Sequence, residues 1–308
     1  MTEAAPSVAD SDVPILQFRD VLWLIHLYPL GWLVRRCPMA VLDLLEMLVT
    51  FAYQTLQRRQ RDVAATRMRE RLGIADNEAQ MLARRYFQHV SRRAQLDLRT
   101  LCERPMGRWA NLSVLGHQHL ERALSEGTGV LLVSVHRFAA RHATLAFRDT
   151  GFPVFAVHAN MIPQYSRLGR RWIGRKYQLV LDRTFPDGIL SYDPDCTLKI
   201  LWRLRAGGIV YIAADTRSRT SVAVPFLGGQ LVVSRGVLEV ARLAGCPLLP
   251  YDCTYDADGL RIELGVPLQL RADGRPADYI ANNLPILVAA LERQIKACPD
   301  QWTLWMEN

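Results

Sequence analysis

The sequence predicts an α/β fold: a mostly parallel sheet flanked by helices, with a helical cap at the N-terminus. From about residue 111 onward, short apolar runs alternate with helix-length segments, which is typical of βαβ units. Two of these runs, GVLLVSV and GIVYIAA, are almost wholly apolar, as expected for strands that are covered on both faces. Residues 15–104 show helical patterns instead.

The helical cap is predicted over residues 14–110, after a disordered tail at residues 1–13. Apolar residues at helical spacing predict one helix in VLDLLEMLVTFAY, and an arginine-rich helix follows it and ends at Gly73. A third helix is predicted to begin near Asn77.

An apolar segment at residues 21–34 raises the question of a membrane contact. The segment has about 14 residues, fewer than the roughly 20 that a spanning helix needs. Its aromatic residues and the two arginines that follow suit a membrane interface. A core helix with a charged edge would show the same pattern, so both interpretations remain open at this point.

The α/β domain is predicted over residues 111–308, with its elements in a regular order. It begins with the helix HLERALSEG, the strand GVLLVSVH, the helix ARHATLAFRDTG and the strand PVFAVHAN. The basic helix YSRLGRRWIGRKY, the strand QLVLD, the helix TLKILWRLRAGG and the strand GIVYIAAD come next. The chain ends with the helix SRGVLEVARLAG, the strands CPLLPYDCTYD and LRIELGVPLQL, and the helix LPILVAALERQIKA.

Composition excludes several classes of protein. The formal net charge is +8, and all but three of the 38 basic residues are arginines, which suit carboxylates and phosphates. These arginines are spread over the chain without a recognised motif, so we expect no nucleic-acid partner. The six cysteines are scattered, which excludes a disulfide scaffold and a structural zinc site. We therefore expect no metal and a reducing compartment.

Polar residues follow two of the buried strands. His136 ends the run VLLVSV and Asp215 ends the run VYIAA. In open α/β sheets, chemistry gathers at the carboxyl ends of the strands, so this pair marks a candidate site. His158 ends a shorter strand, where it either lines the same site or is structural.

Four blocks of sequence resemble the bacterial lipid A biosynthesis acyltransferase family, within the lysophospholipid acyltransferase superfamily. They are GTGVLLVSVH, GGIVYIAADT, VAVPFLGGQLVVSRGVLEVARLAGCPLLP and ALERQIKACPDQWTLW, and they occur in the family's order. The resemblance implies that a fatty acyl group moves from an acyl-carrier-protein or coenzyme A thioester to a hydroxyl or amine of an amphiphilic acceptor. The thioester is then a co-substrate, and no cofactor is expected.

The resemblance also implies a catalytic motif, His-x-x-x-x-Asp/Glu, in which the histidine is the general base and the acid orients it. His136 matches the histidine, but Arg141 occupies the position of the acid. One hypothesis is a working enzyme whose His136 uses another carboxylate, with Asp215, Asp149 and Asp182 as candidates, or uses none. The alternative is a catalytically inactive homologue that binds acyl groups or lipids, or serves as a partner subunit.

Basic residues near the site are predicted to bind substrate: Arg137, Arg141, Arg170, Arg171 and Arg217, together with His158. The basic helix that contains Arg170 and Arg171 suits anionic headgroups or an acidic carrier protein. We therefore predict acyl carrier protein or acyl-CoA and an anionic membrane surface as partners. The predicted location is the cytoplasmic side of the inner membrane, peripheral or monotopic, with the cytoplasm as the alternative. The sequence leaves the oligomeric state open.

Overall fold

The structure is a computed structural model that describes residues 14–158, 165–185, 188–190, 195–216, 220–272 and 274–306. The tail predicted at residues 1–13 lies outside these ranges. Helices form the N-terminal part, as predicted: α1 (Phe18–Ile25), α2 (Gly31–Arg36), α3 (Met39–Leu56), α4 (Arg58–Leu72) and α5 (Asp76–Leu101). A π-helical turn at His26–Leu30 joins α1 to α2. Gly73 ends α4 in a left-handed conformation, with φ of +66°, that favours glycine.

Strands and helices alternate through the rest of the chain. The strands are β1 (Leu112–Leu115), β2 (Val130–Ser134), β3 (Val154–His158), β4 (Ile189–Leu190), β5 (Ile209–Ala213), β6 (Ser221–Phe226), β7 (Gly229–Ser234), β8 (Leu248–Tyr255) and β9 (Leu260–Leu264). The helices are α6 (His117–Ser125), α7 (Ala140–Arg148), α8 (Arg167–Gly169), α9 (Arg175–Thr184), α10 (Cys196–Arg205), α11 (Gly236–Ala244) and α12 (Pro276–Ala297). A π-helical turn at Arg170–Gly174 joins α8 to α9.

The described strands form a seven-stranded sheet in the order β1-β9-β8-β2-β5-β3-β4. Neighbouring strands run parallel except for β8 and β9, which are antiparallel. Strands β6 and β7 form a separate antiparallel hairpin. The predicted fold class, an α/β protein with a mostly parallel sheet and an N-terminal helical region, is confirmed.

The hydrophobic core extends from the sheet into the N-terminal helices. Strand β2 is buried at every position, and the cluster around Leu132 also includes Met68 of α4 and Phe87 of α5. Gly129 allows the close approach that starts β2, because a Cβ atom there would lie 2.3 Å from the carbonyl oxygen of Gly208. Helices α4 and α5 therefore pack on the sheet, while the domain boundary after residue 110 stays a prediction.

Two of the predicted strands are wrong in type or extent. Residues 178–182, predicted as a strand, belong to helix α9. The buried residues Tyr177, Val180, Leu181 and Thr184 recur at helical spacing, so a short apolar run concealed a helical face. The strand predicted over residues 260–270 ends at Leu264, a few residues before Pro267, which has no N–H group for a sheet hydrogen bond.

Candidate active site

Two neighbouring parallel strands bring His136 and Asp215 to the same edge of the sheet. Strand β2 pairs with β5 in a register that sets Ser134 opposite Ala213, and the N–H of Ala214 donates to the carbonyl of Ser134 at 2.9 Å. His136 and Asp215 each lie two residues beyond the Ser134–Ala213 pair. The register therefore places both side chains at the carboxyl ends of adjacent strands, where open α/β sheets bind ligands.

A short hydrogen bond joins the side chains of His136 and Asp215. Nδ1 of His136 lies 2.6 Å from Oδ1 of Asp215, and the backbone N–H of His136 donates to Oδ1 and Oδ2 at 3.0 and 2.9 Å. The Asp215 side chain is fully buried, whereas the His136 side chain is 40% exposed. Burial alone would raise the pKa of Asp215. The interaction with a charged His136 ring, together with hydrogen bonds from His136 and Trp302, lowers this pKa below its usual value. Asp215 is therefore ionised at neutral pH.

This geometry fixes which imidazole nitrogen of His136 carries the proton. An ionised carboxylate can only accept, so Nδ1 of His136 holds the proton of the neutral ring and donates to Asp215. The other nitrogen, Nε2, is then unprotonated. A histidine held in this tautomer by a buried carboxylate can act as a general base, because the same carboxylate stabilises its protonated form.

The C-terminal segment closes over this pair, which the sequence interpretation missed. Nε1 of Trp302 donates to Oδ2 of Asp215 at 2.7 Å, and the N–H of Thr303 donates to the carbonyl of His136 at 3.0 Å. The sequence contained one signal, because a buried tryptophan N–H needs an acceptor. In the sequence, Trp302 stands out only as part of the block ALERQIKACPDQWTLW.

Arg141, at the position where the family has an acid, points to a different carboxylate. Its Nη1 donates to Oδ2 of Asp97 in α5 at 2.9 Å, and its Nη2 donates to the hydroxyl of Tyr177 in α9. The guanidinium also lies over the Tyr177 ring, 4.5 Å from the centroid. Burial alone would lower the pKa of Arg141, but Tyr177 and Asp97 raise it above its usual value. Arg141 thus links α7 to α5 and α9, and these contacts argue against the predicted substrate-binding role.

Arg137 is the more deeply buried of the two neighbouring arginines. Nε and Nη2 donate to the two carboxylate oxygens of Asp252 at 2.7 and 2.8 Å. Nη1 donates to the carbonyl of Cys298 at 2.6 Å, and Nη2 also donates to the carbonyl of Gln294. The side chain has no exposed surface. These contacts tie the strand end to α12, and they argue against the predicted contact between Arg137 and substrate.

The remaining predicted residues are more dispersed. His158 ends β3, the strand beside β5, and stacks on Phe185 with the ring centroids 5.7 Å apart. Nε of Arg170 donates to the carbonyl of Tyr165 at 3.2 Å, and Arg171 is exposed beside Trp172. Arg217 lies outside the described residues. Substrate binding by this group stays a prediction.

Two further carboxylates were candidates to replace the motif acid, and both are exposed. Asp149 is exposed at the end of α7. Asp182 is exposed on α9 and accepts a hydrogen bond from Gln178 at 2.8 Å. Of the three candidates, the structure therefore joins Asp215 to His136. In the part of the chain that the structure describes, no group of His, Cys, Asp and Glu is arranged to hold a metal ion.

The fold and the site together define an α/β protein with a histidine–aspartate pair at the carboxyl ends of two central strands. Residues 21–308 match the bacterial lipid A biosynthesis acyltransferase family. The chain belongs to this family, as the sequence blocks predicted, and membership indicates acyltransferase activity in lipid biosynthesis. No curated protein matches the chain significantly. None of the described helices is both long and apolar enough to cross a membrane.

Proposed function

We propose that this protein transfers a fatty acyl group from an acyl-carrier-protein or coenzyme A thioester to a hydroxyl or amine of a lipid or other amphiphilic acceptor. The observation that supports the proposal is the 2.6 Å contact between Nδ1 of His136 and Oδ1 of Asp215. Through this contact, Asp215 takes the place of the motif acid, whose position is occupied by Arg141. His136 is the general base, and Asp215 orients it.

The proposed reaction balances its protons through His136. Nε2 removes the proton from the acceptor hydroxyl as the oxygen attacks the thioester carbonyl, and the buried charge of Asp215 stabilises the imidazolium that forms. The tetrahedral intermediate then collapses, the carbon–sulfur bond breaks, and the imidazolium returns the proton to the leaving sulfur. The products are an acylated acceptor and a free thiol, so the step needs no cofactor.

The contacts of Arg141 support a working site. An unpaired cation near His136 would disfavour the imidazolium. Here Asp97 pairs with Arg141 at 2.9 Å, and the Tyr177 hydroxyl accepts a second bond. The positive charge at this position is therefore neutralised by a partner on α5, and the base keeps a carboxylate of its own.

We propose that the N-terminal helices contact an anionic membrane surface on the cytoplasmic side of the inner membrane. Helix α3 exposes a row of apolar side chains at helical spacing, Leu44, Met47, Leu48 and Phe51, and these are 52% to 71% exposed. Trp32 of α2 is 57% exposed and lies under the guanidinium of Arg36. An exposed apolar row beside aromatic and cationic groups suits a lipid interface.

Sedimentation with vesicles tests the membrane contact. The wild type should bind vesicles of phosphatidylethanolamine and phosphatidylglycerol more tightly than vesicles of phosphatidylcholine alone. The double variant Met47→Glu/Phe51→Glu should lose most of this binding. Val266→Glu, a similar change at a residue that is 59% exposed elsewhere, should keep it. Equal binding by the three proteins would contradict the proposed surface.

An acyl-transfer assay tests the proposed enzyme. Purified protein is incubated with lauroyl and myristoyl thioesters of acyl carrier protein and coenzyme A, together with a panel of lipid hydroxyl acceptors, and products are identified by mass spectrometry. His136→Ala should abolish transfer while the protein stays folded. If the wild type and His136→Ala are equally inert but still bind the acyl carrier, the alternative hypothesis of an inactive acyl-binding homologue replaces the proposal.

A further inference from the structure

The two oxygens of the buried Asp215 carboxylate have different side-chain donors. Oδ1 accepts from Nδ1 of His136 at 2.6 Å, and Oδ2 accepts from Nε1 of Trp302 at 2.7 Å. The Asp215 side chain has no exposed surface, so water does not replace either donor there. A donor on each oxygen fixes the plane of the carboxylate, and that plane sets the direction of the bond to His136.

Trp302 itself is held by the same loop that contains His136. Its side chain has no exposed surface, and its ring packs between Trp305 at 4.9 Å and Phe226 at 6.1 Å, measured between centroids. Residues on both sides of Trp302 bond to residues 136–138: Thr303 N–H to the His136 carbonyl, and Phe138 N–H to the Gln301 carbonyl. The indole and the imidazole are therefore fixed to a common backbone frame.

We infer that Trp302 is a positioning residue that acts on His136 through Asp215. This inference rests on the proposed function for its catalytic meaning, because it concerns the base of that same reaction. The indole N–H keeps Oδ1 directed at Nδ1 of His136, which holds the ring in the tautomer with Nε2 unprotonated. When the indole N–H is removed, the only described donor left on Oδ2 of Asp215 is the backbone N–H of His136. The carboxylate can then rotate.

Trp305 provides a matched control for this inference. It is 1% exposed, lies in the same C-terminal segment and also donates its indole N–H, but to the carbonyl of Pro299 at 2.6 Å. Trp302→Phe and Trp305→Phe therefore remove similar buried volumes and one indole donor each. Only the first removes a donor from Asp215.

Nuclear magnetic resonance tests the inference without any substrate. In protein with ¹⁵N-labelled tryptophan and histidine at pH 8, the Trp302 indole signal is assigned by its loss in Trp302→Phe. Asp215→Asn should shift that signal and leave the Trp305 signal in place. Trp302→Phe should change the ¹⁵N shifts of the His136 ring toward a mixture of tautomers, and Trp305→Phe should leave them unchanged. If the Trp302 indole signal has the same chemical shift in Asp215→Asn as in the wild type, the inference is wrong.

Kinetics tests the same coupling in turnover. Trp302→Phe should lower kcat roughly 10- to 100-fold, the usual loss for one hydrogen bond to a charged group, and change KM less than about twofold. In the Asp215→Asn background, the same substitution should lower kcat by less than about threefold, because the residues act in series. Equal kcat losses in Trp302→Phe and Trp305→Phe, or independent losses in the double variant, would show that Trp302 only packs the segment. If no thioester is turned over, the proposed function fails, while the resonance experiment still decides whether Trp302 positions His136.

Discussion

The substitution Arg141→Glu restores the residue type that the family's motif has at this position, yet we expect it to damage the protein. A carboxylate at position 141 would face Asp97, whose Oδ2 now lies 2.9 Å from the guanidinium. His136 already has a carboxylate partner in Asp215 at 2.6 Å. The new acid therefore meets a like charge in α5 instead of supporting the base.

The expected loss of stability in Arg141→Glu follows from the burial of the Arg141–Asp97 pair. The two side chains are 15% and 10% exposed. Removal of one partner from a buried ion pair destabilises a protein by about 3–5 kcal/mol. For a chain of this size, about 2 °C of Tm is lost per kcal/mol, so Tm should fall by roughly 6–10 °C.

Thermal unfolding at pH 5 and pH 8 measures this effect. The introduced carboxyl has a pKa raised in the folded state by Asp97 and by burial, so the unfolding free energy of the variant falls as the pH rises through that value. The deficit relative to wild type should thus be larger at pH 8 than at pH 5. Arg122→Glu, the same charge change at an exposed position of α6, should cost less than about 0.5 kcal/mol. If Arg141→Glu is as stable as Arg122→Glu and turns over faster, our structural assignment of Arg141 is refuted.

Three further variants give predictions. Asp215→Asn should lower kcat by about 100- to 10,000-fold in the acyl-transfer assay. The pKa of Asp215 is lowered in the folded state, so ionised Asp215 stabilises the fold above the unfolded value near 3.8, and this stabilisation is lost as the pH falls through the lowered value. Urea unfolding of the wild type and of Asp215→Asn between pH 3 and pH 8 measures the effect. The difference between their unfolding free energies should change below about pH 4. Arg137→Gln leaves Asp252 without its bidentate partner, so urea unfolding should show a loss of about 3–5 kcal/mol. Gly129→Ala forces a Cβ atom to 2.3 Å from the Gly208 oxygen, and its unfolding free energy should fall by more than about 1 kcal/mol. A Gly129→Ala protein with unchanged Tm contradicts the packing described at the start of β2.

Most of the central strands and helices were predictable because each pattern is local, but strands β1, β4, β6 and β7 were not predicted. Apolar runs of the central strands, such as GVLLVSV, are buried on both faces, so their composition alone predicts them. The segment QLVLD in α9 failed for the same local reason, since five residues cannot distinguish a strand from the buried face of a helix. The two residues of β4 are likewise too few to produce a pattern.

The family could also be predicted from the sequence, because its blocks are contiguous and occur in a fixed order. So was the candidate pair of His136 and Asp215, since each follows an apolar strand and strand ends share an edge. The sequence also offered Asp149 and Asp182 as substitutes for the motif acid. Which of the three carboxylates contacts His136 depends on which strands are neighbours and in which register, and this only the structure shows.

Sequence by itself therefore determined the α/β class and the family, and it singled out His136 as the candidate base, all from residues close together in the chain. Tertiary structure decided the partners of the charges. The sheet register brought Asp215 to His136 across 79 positions of sequence, helix packing brought Asp97 to Arg141, and the C-terminal segment brought Trp302 to Asp215. A buried charge is stable only with a partner within a few ångströms, and the folded chain fixes which residues come that close.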